Sequence, residues 1–311
     1  MRRAAFLLSI VALAAQWTLP GARAGGSWPG AAGYSVPVAT LDAALECKTP
    51  IDGSGRAQPV LLVHGTGFSR EQSFSWNYWR ALPRDGFEVC WVQLPQAALG
   101  DIQIASEYVA RGVEVMHERT GELVDILGHS QGGLEPRWAI KYFPAGVWVD
   151  DYVALASPNH GTLSGDPCEV TRYCAPSFWQ MRRGSDLVGA LNAGDETPGP
   201  ISYTDVYTRF DHLVRPPRTA ALDGGRNILL QHVCPGRPVE HVGLVDDAIV
   251  YDLAVDAFTR PGPAHPAIVS AADCLRESRI PGSTLPPLGQ HADYSDAHGT
   301  THEPPLQPYA R

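Results

Sequence analysis

The chain has 311 residues, of which 44% are hydrophobic and 18% are charged, with 31 glycines and 27 prolines. This composition excludes a collagen-like, coiled-coil or wholly disordered protein. No apolar run reaches the ~18 to 20 residues that a membrane-spanning helix needs, so we expect no integral membrane segment. The formal net charge of −9 argues against binding to the phosphate backbone of a nucleic acid.

The first 24 residues have the pattern of a secretory signal peptide. Arg2 and Arg3 precede the mostly apolar stretch 4–15, and the small-x-small sequence at 22–24 follows it. A basic start, an apolar centre and small residues at the cleavage point are typical of exported proteins. Cleavage after Ala24 removes three arginines and no acid, so the net charge changes from −9 to −12. We therefore expect an extracellular protein with no nucleic-acid partner.

Six cysteines lie beyond this segment, at positions 47, 90, 168, 174, 234 and 274. An even number in an exported chain favours three disulfides, although the sequence leaves their pairing open. Cys168 and Cys174 are close enough to close one short loop. Zinc is disfavoured because the chain has no C-x-x-C pair.

Short apolar runs alternate with amphipathic stretches along the chain. Strands are predicted at 59–63, 87–92, 123–127, 149–155, 201–207 and 227–233. Helices are predicted at 76–84, 102–118, 133–142, 176–192 and 244–258. This alternation predicts the α/β class, with a mostly parallel sheet covered by helices on both faces. No internal repeat or linker divides the pattern, so we expect one domain over residues 25–276.

Residues 277–311 are expected to form a tail outside that domain. They hold many prolines and glycines and few large aliphatic residues, so they are predicted to wrap the surface or stay loose. Several potential metal ligands lie there: His291, Asp293, Asp296, His298 and His302. No helix or strand fixes their spacing, so we interpret them as a solvated polar tail and expect no metal.

The most informative motif is G-x-S-x-G at 128–132, directly after the predicted strand 123–127 and before the predicted helix 133–142. A nucleophilic serine must leave its strand on a tight turn that exposes Oγ, and the flanking glycines permit that turn. The helix N-terminus then offers a backbone N–H to a developing oxyanion. In this setting the motif predicts that Ser130 is a nucleophile; the alternative is an ordinary tight turn.

On such a fold, the acid and the histidine follow the serine in that order. Asp211 comes just after the predicted strand 201–207 and is the first choice for the acid. Asp205 lies inside that strand and ranks second. Asp223 precedes two glycines and is interpreted as a turn residue.

The histidine should follow the next strand. His241 comes after the turn 235–238 and before the predicted helix 244–258, a loop position from which Nε2 can reach Ser130. His232 lies inside the predicted strand 227–233, which commits its side chain to one face of the sheet.

Two positions are predicted to form the oxyanion hole. Gln131 follows the nucleophile and offers its backbone N–H. Thr66 lies in the loop 64–67 after the first strand and offers both a backbone N–H and a hydroxyl. The alternative for that loop is a glycine turn with no catalytic donor.

Together these stretches resemble the Candida antarctica lipase B family of secreted α/β-hydrolases, over roughly residues 36–275. The similarity is carried by PVLLVHGTG at 59–67, QSF at 72–74, CW at 90–91, GHSQGGL at 128–134, KYFP at 141–144, PSFWQ at 176–180, DVYTRFDHLVRP at 205–216 and VEHVGL at 239–244. A weaker similarity returns with PYAR at 308–311.

The resemblance implies an α/β-hydrolase fold and ester hydrolysis without a cofactor. Its nucleophile, acid and base fall on Ser130, Asp211 and His241, and its oxyanion positions fall on Thr66 and Gln131. It also implies a disulfide pairing, namely Cys47–Cys90 and Cys234–Cys274, with Cys168–Cys174 left as a local bridge.

The chain departs from the family in three places. Position 129 is His where the yeast enzyme has a Trp in the wall of its alcohol pocket, so stereoselectivity is not carried over. An insertion around Cys168 and Cys174 changes the rim where a lid would sit. The tail lacks the family's last disulfide.

We therefore expect a secreted carboxylic-ester hydrolase, foremost a triacylglycerol lipase that acts through an acyl-enzyme on Ser130. Its partner would be a small-molecule or lipid ester, and we expect a monomer. The alternatives are a short-chain esterase, a polyester hydrolase, and a hydrolase-like binding protein without activity.

Overall fold

The computed structural model describes residues 32–287 and 292–311. The predicted signal peptide at 1–24 and the potential ligand His291 lie outside the described residues. Among the described helices, none is both long and apolar enough to cross a membrane.

Within the described residues the centre of the fold is a seven-stranded sheet. Its strands are β1 (Leu45–Cys47), β2 (Val60–Val63), β3 (Val89–Val92), β4 (Val124–His129), β5 (Val149–Leu155), β6 (Ser202–Tyr207) and β7 (Arg226–Leu229). Their spatial order is β1-β3-β2-β4-β5-β6-β7. Only β1 runs antiparallel to its neighbour, and all the other pairs in this described sheet are parallel. The predicted α/β class with a mostly parallel sheet is thereby confirmed.

Helices cover both faces of this sheet. They are α1 (Val38–Ala44), α2 (Arg70–Phe74), α3 (Tyr78–Arg84), α4 (Ile102–Thr120), α5 (Leu134–Tyr142), α6 (Pro167–Thr171), α7 (Pro176–Gln180), α8 (Asp186–Asn192), α9 (Leu230–Val233) and α10 (Ala248–Thr259). One face packs against α1, α4 and α5, and the other packs against α3 and α10.

The central strands show why the sheet needs cover on both sides. All four residues of β2 are fully buried. Leu61 and Val63 join the core on the α4 side, whereas Val60 and Leu62 join the core on the α10 side. A strand that is apolar on both faces is stable only between two layers of helices.

The predicted strand 227–233 is wrong in its second half. β7 ends at Leu229, which pairs with Tyr207, the last residue of β6. Beyond that point β7 has no neighbouring strand to accept its hydrogen bonds, and the chain satisfies them locally by turning into α9. His232 therefore lies on a short helix and not on a face of the sheet.

The single helix predicted at 176–192 is two helices, α7 and α8. Gly184 between them has φ 76°, in the left-handed region. Ser185 then begins α8, because its hydroxyl accepts the N–H of Val188 at 3.1 Å. The sequence Gly-Ser-Asp at 184–186 is the signal for this break.

Three disulfides join described residues, in the pairs that the resemblance implies. Cys47–Cys90 ties the edge strand β1 to β3, and Cys168–Cys174 closes the loop that contains α6. Cys234–Cys274 joins the end of α9 to the 3₁₀ turn Asp273–Leu275.

The described part of the tail follows the protein surface. Thr300 pairs with Cys174 in an isolated bridge, and the carboxylate of Glu303 accepts the first N–H groups of α8 at 3.0 Å. Tyr309 packs against the aromatic rings of Trp138 and Phe143. These contacts hold the described part of residues 277–311 against the rest of the chain.

Candidate active site

Ser130 stands on a strained turn between β4 and α5. Its φ is 57°, in the left-handed region that L-residues rarely adopt. A Cβ on Gly128 would lie 2.1 Å from the carbonyl oxygen of Gly132, and one on Gly132 would lie 2.4 Å from that of Val63. Both glycines are therefore required by close backbone approach, and this explains why the motif begins and ends with glycine.

Asp211 and His241 are brought together from two loops. Nδ1 of His241 donates to Oδ2 of Asp211 at 2.7 Å, and both side chains are buried. The other carboxylate oxygen accepts the backbone N–H groups of Leu213 and Val214, each at 2.8 Å. These bonds fix the carboxylate so that one oxygen faces the imidazole.

Ser130 and His241 line the same pocket at the carboxyl end of the sheet. Among the described contacts, no hydrogen bond yet joins Oγ of Ser130 to the imidazole. In free enzymes such bonds are often long and shorten when substrate binds.

The two predicted oxyanion positions are linked through their side chains. The hydroxyl of Thr66 donates to the amide oxygen of Gln131, whose Nε2 donates to Oε1 of Glu135 at 2.7 Å. Burial raises the pKa of Glu135 to about 8, which favours its neutral form. Sequence reasoning missed Glu135; the available signal was its i, i+4 spacing from Gln131, which places both residues on one side of the helical segment.

The loop of Thr66 is held in place by His64. Nε2 of His64 accepts the N–H of Leu94 at 3.0 Å, and Nδ1 donates to the carbonyl of Gly65 at 3.0 Å. Burial lowers the pKa of His64 to about 4, which keeps the ring neutral and able to do both.

His129 packs against the candidate base. Its Nε2 donates to the main-chain oxygen of His241 at 3.1 Å, and the two ring centres are 4.9 Å apart. Burial and the neighbouring His241 lower the pKa of His129 to about 3. The neutral ring of His129 therefore supports the loop of His241. In the sequence, the only signal for this role was that His129 is adjacent to Ser130.

The pocket has a volume of about 210 Å³ and mostly apolar walls. Phe178 and Met181 line it, together with Leu99. Trp179 is instead buried beside the tail, where its Nε1 donates to the carbonyl of Thr300 at 3.1 Å. Around the mouth, three apolar side chains remain more than one-third exposed: Phe68, Leu213 and Val242.

The second-ranked acid lies elsewhere. Asp205 is buried within β6 and accepts a hydrogen bond from the side chain of Asn159 at 2.9 Å. Asp223 is an exposed turn residue. Neither forms an ion pair or a hydrogen bond with His241 among the described contacts.

The potential ligands of the tail do not assemble. Asp293, Asp296, His298 and His302 contribute to no group of three neighbouring ligand atoms among the described residues. The group that does form, Asp125 with Asp150 and Asp151, lies at the opposite end of the sheet.

The parallel sheet, with a strained serine turn after its central strand, defines an α/β-hydrolase. The chain is 31% identical to lipase B of Pseudozyma antarctica over 299 residues, which cover 89% of this chain and 86% of that protein. The crystal structure of Aspergillus fumigatus lipase B superposes with a TM-score of 0.77 and 26% identity, over 94% of this chain and 77% of that one. No protein-family model matches the chain.

The chain therefore belongs to the lipase B family. It is a carboxylic-ester hydrolase with the α/β-hydrolase fold.

Proposed function

We propose that the protein is a secreted triacylglycerol lipase that cleaves its substrate through an acyl-enzyme on Ser130. The observation that carries this proposal is the buried pair of Asp211 and His241, which opens onto the same apolar pocket as the strained serine. The names of both relatives, lipase B, agree with it.

In the first half of the reaction, Oγ of Ser130 attacks the acyl carbonyl while Nε2 of His241 takes its proton. Asp211 holds the imidazole by Nδ1 and stabilises its charged form. The backbone N–H groups of Thr66 and Gln131 receive the oxyanion, and the Thr66 hydroxyl adds a donor when it turns from Gln131 toward the substrate. Each such donor contributes ~3 kcal/mol to lowering the barrier.

In the second half, His241 gives its proton to the departing alcohol. Water then attacks the acyl-enzyme by the same route and releases the acid, with the proton passing again through His241. Every proton and every charge in this sequence is handled by side chains and backbone groups of the chain, so the steps require no cofactor.

A lipid ester is favoured by the apolar surface around the pocket mouth. The exposed side chains of Phe68, Leu213 and Val242 form an apolar rim that a lipid–water interface would cover. Three disulfides and the leading segment 1–24 support secretion, because disulfides persist in oxidising compartments. We propose a monomer as the working form.

The test compares wild type, Ser130→Ala and the control Ser54→Ala, made as mature chain from Gly25 with the disulfides intact. Each is assayed on p-nitrophenyl esters from acetate to palmitate and on emulsified tributyrin and triolein. We expect turnover of long chains and emulsions by wild type and Ser54→Ala, and none by Ser130→Ala. Activity confined to short soluble esters would identify an esterase, and turnover of polyester film but not of glycerides would identify a polyester hydrolase.

A binding protein without activity predicts a different result. Wild type would then turn over none of these esters, and Ser130 would fail to react with an organophosphonate, as read by intact mass. Covalent labelling of Ser130 would contradict that alternative even if the natural ester were missing from the series.

A further inference from the structure

Three carboxylates meet at the amino end of β4 and β5, opposite the end that carries Ser130. Val124 pairs with Val149, but Ile126 pairs with Tyr152, so β5 has one residue more than β4 in this interval. This irregularity sets both Asp150 and Asp151 against Asp125. One oxygen from each of the three side chains lies within 4.8 Å of the other two.

The cluster contains buried oxygen atoms without partners. Asp125 has no exposed surface, and its Oδ2 has no hydrogen-bond partner. Asp151 is 5% exposed, and its Oδ1 also has none. The remaining oxygen of Asp125 accepts only the backbone N–H of Asp151, at 3.2 Å. Buried carboxylate oxygens in this state lack the ligands that such groups normally find.

No basic side chain compensates the three acids. Among the described residues, no Lys, Arg or His forms an ion pair with any of them. Two arginines line the adjoining cleft and are engaged elsewhere: Arg260 pairs with Asp256 at 2.9 Å, and Arg56 lies over the ring of Phe87.

The cluster opens to solvent through a cleft of about 660 Å³. Asp150 and Asp151 form part of its wall, and Glu122 and Ser202 line it too. The cleft therefore gives an ion access from solvent and leaves room for water molecules as further ligands.

We propose that Asp125, Asp150 and Asp151 bind a divalent cation that prefers oxygen ligands, with Ca²⁺ as the best fit. Calcium takes carboxylate oxygens at about 2.4 Å, so two ligands of one ion lie at most about 4.8 Å apart. The three oxygens satisfy that limit. The ion would fasten β4 to β5 where their register shifts, and it would stabilise the sheet without taking part in ester hydrolysis.

The experiment uses the mature, disulfide-bonded chain after dialysis against EDTA and then against chelator-free buffer. In scanning calorimetry at pH 8, 5 mM CaCl₂ should raise Tm by roughly 5 °C if the calcium concentration is near 100 times its Kd. Titration calorimetry should give one calcium per chain. No shift and no binding heat at pH 8 would overturn the proposal.

Variants locate the site. Asp151→Asn and Asp150→Asn should abolish the calcium shift, whereas Asp223→Asn, an exposed aspartate elsewhere, should keep it. Asp150 is half-buried, so its variant remains informative if Asp151→Asn fails to fold. A calcium shift that survives both cluster substitutions would place the ion elsewhere and overturn the assignment. Because the readout is stability, it stands or fails independently of the ester assays.

Discussion

Glu135 is a carboxylic acid enclosed by protein, and its burial makes one contribution to the pH dependence of the fold's stability. Its folded pKa is raised from 4.5 to about 8 by burial. A group whose pKa is raised on folding contributes its full stabilisation below its pKa in the unfolded state. That stabilisation is lost as the pH increases through its pKa in the folded state. Glu135 should therefore weaken the fold between about pH 4.5 and 8.

Glu135→Gln should remove this loss of stability at higher pH, because glutamine does not ionise, and it keeps an oxygen that accepts the hydrogen bond from Gln131. We expect the variant to have a flatter Tm profile from pH 5 to 9 and a higher Tm than wild type at pH 8, with esterase activity largely retained. Glu118→Gln, on the exposed side of α4, is the matched control and should follow wild type. Parallel profiles for Glu135→Gln and wild type would contradict a raised pKa at this position.

Asp211→Asn tests the proposed acid. An amide cannot stabilise the imidazolium form of His241 and favours the wrong tautomer, so kcat should fall by ~10³ to 10⁴-fold with little change in KM. Asp205→Asn changes the second-ranked candidate for the acid. It should lower stability but keep most of the kcat. If the losses of kcat were reversed between the two variants, Asp205 would be the acid.

At the scale of elements, the turn after β4 depends on glycines that touch backbone. A methyl group on Gly132 would lie 2.4 and 2.5 Å from the carbonyl oxygens of Val63 and His64, and neither can move without disturbing β2 and the loop 64–67. Gly132→Ala should therefore cost about 3 kcal/mol or more in the free energy of unfolding and most of the activity.

Gly189→Ala provides the contrast, and urea unfolding measures the stability of both variants. Gly189 lies inside α8, and a Cβ there would meet nothing within 4 Å. The substitution should stabilise the protein by roughly 0.5 to 1 kcal/mol through helix propensity. Equal effects of the two substitutions would show that close approach is not what selects Gly132.

Local signals account for the elements that sequence reasoning predicted well. The serine turn needs only a strand, five residues and a helix, so the whole signal lies within 123–142. The loop positions of Asp211 and His241 follow from chain order, because parallel strands bring their carboxyl ends to one edge of the sheet.

Features that depend on strand register and on burial in the assembled fold could not be predicted from local sequence signals. The meeting of Asp125 with Asp150 and Asp151 depends on one extra residue in β5, and the neutral state of Glu135 depends on burial that only the assembled fold creates. α9 replaces a predicted strand because its neighbour β6 has already ended. None of these facts has a signature in a short stretch of sequence.

At the scale of the whole molecule, the disulfides should contribute unequally. Cys168–Cys174 spans 6 residues and Cys234–Cys274 spans 40. On the chain-entropy model, replacing both cysteines of a pair by serine should cost ~2 kcal/mol for the short loop and ~4 kcal/mol for the long one. Urea unfolding of the two double variants measures the difference, and a larger loss for the short loop would show that native contacts outweigh chain entropy.

The described tail joins parts of the pocket's surroundings that lie far apart in the chain. The hydroxyl of Tyr294 donates to the carbonyl of Gly67 at 2.7 Å, next to the proposed oxyanion residue Thr66. Thr300 pairs with the loop closed by Cys168–Cys174, and Glu303 holds the start of α8.

The wrapped tail also sets an order of events during biosynthesis. The proposed catalytic residues Ser130, Asp211 and His241 are all translated before residues 292–311, so the contact between Tyr294 and Gly67 forms only after all three have been made. Hydrolytic competence would then be acquired late, after the segment from Tyr294 onward has docked.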